Sequence, residues 1–135
     1  MTRPYSLIAS IIILLTLGCS KDPNAPDATT SLSGLWVTAD TVDVFTGFNL
    51  QMAQSDDGLI SGNWTAKTRI INGKCDAIFG CAPGNMLRGS NLSLKVTLAI
   101  LGAGTYSAQL VTKDRLDGQI VRFEKSYRLR LHRIN

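Results

Sequence analysis

Three kinds of residue in this chain could support covalent, metal or acid–base chemistry. Cysteine occurs at Cys19, Cys75 and Cys81, histidine only at His132, and adjacent carboxylates only at Asp56-Asp57. Cys75 and Cys81 suit a disulfide in an oxidising compartment. Closing so short a loop contributes on the order of 2 kcal/mol by the chain-entropy argument. A zinc site needs four nitrogen or sulfur ligands, and one distant histidine with no second cysteine pair does not supply them, so neither metal nor cofactor is expected. His132 alternates with Arg128 and Arg130 against Leu129 and Leu131, which places it on a solvent face. Asp56-Asp57-Gly58 is hairpin-turn chemistry. Asp40, Asp43 and Asp117 would have to converge from separate strands to act as acid and base. The chain has no Gly-x-Ser-x-Gly elbow, no His-Glu-x-x-His and no phosphate-binding glycine loop. A non-enzymatic protein is expected.

The elements that would carry these residues begin with an export segment. Met1-Thr2-Arg3 precedes an uncharged stretch from Pro4 to Ser20 whose apolar centre runs from Leu7 to Leu17. A helix crossing a bilayer needs roughly 20 apolar residues; this run is shorter, with a positive charge before it and small residues after it, as in a secretory signal. Ser20 to Ser33 is rich in Asp, Asn, Pro, Ser and Thr, a composition that buries too little apolar surface to fold. Such a coil reaches about 20 Å. Without Arg3 the chain keeps 13 Lys+Arg against 10 Asp+Glu, too small an excess to point to nucleic acid.

Leu15-Thr16-Leu17-Gly18-Cys19 resembles the bacterial lipobox, with Thr16 where that signal usually has leucine. The resemblance implies that Cys19 is lipidated and becomes the mature N-terminus, which would make the membrane a partner. It divides the chain into a signal peptide (1–18), a lipidated N-terminus with a flexible tether (19–33) and a folded domain (34–135). Ser20 is not the aspartate that retains such proteins at the inner membrane, so the implied location is the outer membrane, facing the periplasm.

The folded part reads as strands throughout. Leu92, Leu94, Val96, Leu98 and Ile100 alternate with polar or small residues, as do Phe48, Leu50 and Met52, and Tyr127, Leu129 and Leu131. Turn signals separate the runs at 55–58, 102–104 and 113–115. Eight strands are expected, near residues 34–40, 45–54, 59–67, 85–91, 92–101, 105–112, 116–123 and 126–134. Gly34, Gly62, Gly89 and Gly118 recur at intervals of 28, 27 and 29 residues, inside strands where glycine marks a bend or close backbone approach of the kind barrel closure requires. The expected fold is all-β, an eight-stranded antiparallel up-and-down barrel without open edges.

Gly34-x-Trp36 opening the first strand, the eight-strand meander and the arginines of the last strand resemble the calycin group, which includes lipocalins and avidins. The resemblance implies that a last-strand arginine packs over Trp36 and closes the barrel end, with Arg128, Arg130 and Arg133 as candidates. No tryptophan follows Trp64, so the later biotin-stacking rings of an avidin are missing. An eight-stranded barrel is either filled by side chains or holds one small ligand. Phe48, Leu50, Met52, Trp64 and Tyr106 are the inward residues expected to meet a small apolar ligand. The alternative is recognition of an envelope protein by loops, centred on Thr68 to Gly84 with Ile78, Phe79 and the cysteine pair.

Overall fold

The computed structural model describes residues 22–43, 45–68 and 85–135. The signal segment, Cys19, and the Cys75 and Cys81 pair with their loop lie outside the described residues. The strands are β1 (Gly34–Val37), β2 (Thr41–Val42), β3 (Phe45–Gln54), β4 (Leu59–Thr68), β5 (Asn85–Leu92), β6 (Lys95–Ile100), β7 (Gly104–Thr112), β8 (Arg115–Arg122) and β9 (Lys125–Ile134). Consecutive strands from β3 to β9 pair as an antiparallel meander, and β1 lies between β9 and β3, closing the sheet. The two-residue β2 continues the line of β1 along β3, so the closed barrel has eight staves. No described residue is helical.

We call the end where β1 starts the floor and the opposite end the roof. The β3–β4, β5–β6 and β7–β8 hairpins turn at the floor, and the β6–β7 and β8–β9 hairpins at the roof. Inward side chains alternate with exposed ones, strictly so along β6 (Lys95–Ile100). Phe48, Leu50, Met52, Trp64 and Tyr106 all point into one core. Burying side chains of this size contributes roughly 1.5–3 kcal/mol each, which is why the period-two pattern decides the register.

Glycines let the sheet curl tightly. Gly89 faces inward between Leu87 and Asn91, and a Cβ there would sit 1.9 Å from the Thr97 carbonyl oxygen of the neighbouring strand. Gly62 and Gly118, its counterparts in the repeat, meet neighbouring carbonyls in the same way.

Two turns depart from expectation. The run from Leu92 to Ile100 is not one strand: Leu92 ends β5 facing outward, and the chain reverses at Ser93-Leu94, both with positive φ. A two-residue turn of this hand matches the twist of its flanking strands. Leu94 then folds back to pack partly against the core at the floor. At the roof the chain turns at Phe123-Glu124, again with both φ values positive, so β8 ends one residue sooner than expected.

Residues 22–33 cross the floor as a strap. The Lys113 backbone N–H donates to the Asn24 carbonyl, Asn91 Nδ2 to the Thr30 carbonyl, and the Leu32 N–H to Gln54 Oε1. Leu32 is fully buried. The polar composition that reads as a tether is thus held to the barrel by one apolar anchor and by side chains of β3 and β5.

Candidate functional site

The interior is built around aromatic rings from adjacent staves. Phe48 and Trp64 stack with centroids 5.6 Å apart, and Phe45 meets Trp64 edge-on at 5.4 Å. Such pairs add about 0.5–1.5 kcal/mol beyond area burial. The Tyr106 hydroxyl donates to the Leu129 carbonyl at 3.1 Å, and burial pushes its ionisation well above the usual phenol range. A void wide enough for water would leave accessible area on its walls, yet the core side chains are at most 3 % exposed. The five residues expected to line a ligand site are all buried in this one core, with Phe48 stacked on Trp64.

The floor is closed as the calycin resemblance implies, by a different arginine from those alternating with Leu129. Trp36 is fully buried and its Nε1–H donates to the Leu32 carbonyl at 2.8 Å. The Arg133 guanidinium lies over the ring, 4.8 Å from its centroid, and reaches the Ser31 carbonyl and Asp114. Arg128 and Arg130 are exposed on the outer wall with His132. The pleat explains the division: Leu129, Leu131 and Arg133 share the inward parity, while Arg128, Arg130 and His132 have the outward one. Gly34 opens β1 with φ +129°, beside the Arg133 stem.

At the roof a second arginine, which sequence reasoning passes over, occupies an inward position. Arg122 follows Leu116, Gly118 and Ile120 in the same parity, a signal that counting along β8 recovers. Its Nη1 donates to the Gly102 carbonyl at 2.6 Å and its Nε to Asp43 at 3.1 Å. The guanidinium lies against the Phe45 ring at 4.8 Å and the Phe123 ring at 4.6 Å. The Trp64 Nε1–H donates to the Leu101 carbonyl, tying the β6–β7 turn to the core.

Above this layer the roof exposes apolar side chains. Leu101 is 62 % and Phe123 61 % exposed, with Met86 and Val121 also open to solvent. The Leu101 N–H donates to the Met86 carbonyl and Arg122 bridges Gly102 to Phe123, so these residues form one arc. Phe123 has φ 47°, a left-handed conformation that costs an L-residue about 1–2 kcal/mol. Leu94, in the equivalent floor turn, is compensated by packing on the core; the Phe123 ring carries the Arg122 guanidinium on its face.

The three separated aspartates have different partners. Asp43 pairs with Arg122, Asp40 accepts the Arg130 backbone N–H at 2.8 Å, and Asp117 forms a bidentate pair with Arg115. The Arg115 hydrogen bonds hold the Asp117 carboxyl below its ordinary range. Asp57 accepts from the Ser55 hydroxyl within the β3–β4 turn, which lowers its pKa. Among the described residues no three His, Cys, Asp or Glu side chains converge.

No protein-family model, curated protein or solved structure matches the chain. The likeness to calycins accordingly stands on the closed meander and on the Trp36–Arg133 closure.

Proposed function

We propose that the chain is an exported protein, lipid-anchored at Cys19, whose barrel recognises another protein of the cell envelope through its roof and does not enclose a small apolar ligand. The observation that supports this reading is the near-complete burial of the core side chains. With Phe45, Phe48 and Trp64 packed on one another and Tyr106 buried in the same cluster, a ligand would enter by displacing rings whose removal costs about 3–5 kcal/mol each. The roof supports the second half of the reading. Interfaces are enriched in aromatic residues, methionine and arginine; Met86 and Leu101 line one cavity with the exposed Arg88, and Phe123 is exposed on the neighbouring β8–β9 turn. A bulky aromatic held both exposed and left-handed is the kind of outlier that clusters at binding sites.

Native mass spectrometry of the exported protein, released gently from cells, tests the choice between ligand and partner. The expected spectrum has the mass of the chain with its own modifications and nothing more. One retained apolar molecule per barrel would return the reading to ligand binding. In cells, a photo-crosslinking residue at Leu101 should give one discrete protein adduct, and the same residue at Thr97 on the outer wall should give none.

A further inference from the structure

The strap fixes the direction in which the domain is presented. Asn24 is bonded to the backbone of Lys113 in the β7–β8 hairpin, so the chain leading back to Cys19 leaves the barrel at that corner of the floor. From Cys19 to Asn24 an extended chain spans at most about 17 Å. The longest strands have ten residues, which at about 3.3 Å per residue and a tilt near 40° puts the roof about 25 Å beyond the floor.

The same corner carries a surface suited to a lipid headgroup layer. Val111, near the end of β7, is 42 % exposed and Ile134, at the end of β9, is 53 % exposed. Lys113 at the hairpin tip is exposed between them in chain order. Of the neighbouring acids, Asp114 pairs with Arg133 and Asp117 with Arg115, while Asp22 accepts the Asn24 backbone N–H at the same corner. Asp56 and Asp57 sit on the β3–β4 hairpin, at the far end of the strap from Asn24. Apolar side chains flanked by a lysine are the composition of interfacial contacts, in which the apolar groups enter the headgroup boundary and the ammonium remains in water.

We infer that the Val111, Lys113 and Ile134 corner of the floor rests on the bilayer that holds Cys19, and that the roof arc of Met86, Leu101, Val121 and Phe123 faces away from that bilayer. This inference rests on the lipid anchor proposed above. It excludes the anchoring membrane as the roof's partner and assigns the roof to a protein reached from the aqueous side.

The test uses the full exported chain reconstituted into vesicles of phosphatidylethanolamine with a minor fraction of phosphatidylglycerol. A benzophenone side chain is placed singly at Val111, Ile134, Leu101 or Phe123. After irradiation, the Val111 and Ile134 proteins are expected to carry phospholipid adducts by mass spectrometry, and the Leu101 and Phe123 proteins none. Adducts from the roof positions, or from none of the four in protein that floats with the vesicles, overturn the orientation while leaving the anchor intact. Protein that fails to float, or floats equally well as Cys19→Ser, overturns the anchor and the orientation with it.

Discussion

Replacing Trp36 with alanine probes the floor at its densest point. The indole is fully buried, donates a 2.8 Å hydrogen bond to the Leu32 carbonyl and carries the Arg133 guanidinium on its face. Truncating a buried tryptophan costs about 3–5 kcal/mol in transfer and cavity terms. Leaving the Leu32 carbonyl without its donor adds about 1 kcal/mol, and loss of the cation over the ring about 0.5 kcal/mol more. The expected total is roughly 4.5–6.5 kcal/mol, comparable with the whole stability of many domains, so Trp36→Ala should be largely unfolded when isolated. Trp36→Phe keeps a ring over which Arg133 can lie and loses the donor, so its cost should be nearer about 2 kcal/mol. Equilibrium urea unfolding followed by far-ultraviolet circular dichroism measures both. A Trp36→Ala midpoint shift worth less than about 1 kcal/mol, the ordinary range for a surface change, would refute the floor closure.

Gly89→Ala drives a methyl group into the Thr97 carbonyl and should lower stability by about 1–3 kcal/mol through overpacking; an unchanged urea midpoint would show that the staves can separate there freely. Phe123→Asn exchanges an exposed ring for a residue that tolerates φ > 0, offset by loss of the cation contact. Thermal unfolding should therefore change by no more than about 1 kcal/mol in free energy, while the protein adduct from Leu101 in cells disappears; a persisting adduct would remove Phe123 from the recognition surface. Asp117 has a folded pKa below its unfolded value because Arg115 holds its charged form. Its contribution is present above the unfolded pKa of about 3.9 and is lost as pH falls through the folded pKa. Asp117→Asn should flatten the stability-against-pH curve below about pH 4, and superimposable curves for the two proteins would contradict the pairing.

Much of the barrel is legible in the sequence because one physical signal, inside–outside alternation, sets both strand and register. Phe48, Leu50, Met52, Trp64 and Tyr106 occupy the inward positions that alternation assigns. What alternation cannot show is where a strand reverses without glycine, asparagine or proline. Ser93-Leu94 and Phe123-Glu124 carry no such residue, and Leu94 mimics the next inward position of a continuing strand. The same parity that places the core also separates Arg133 from Arg128 and Arg130, so that distinction was available from counting along β9. Composition says nothing about whether a filled or an open interior results, because large apolar side chains serve either. The strap was hidden for a different reason: its segment contributes one buried apolar residue, Leu32, and the groups that hold it, Gln54 and Asn91, come from other strands.

The strap also determines how the domain bears mechanical load. Tension along the N-terminal chain would otherwise run directly into β1, the shortest stave of the closed sheet, joined to β9 through three residues and to β3 through four. Before reaching that seam it must pass the bonds from Lys113, Asn91, Gln54 and Arg133. Those bonds divide the pull among the β7–β8 hairpin, β5, β3 and β9. A force that would unzip a bare seam one pair at a time is instead spread around the circumference, where several strands must yield together.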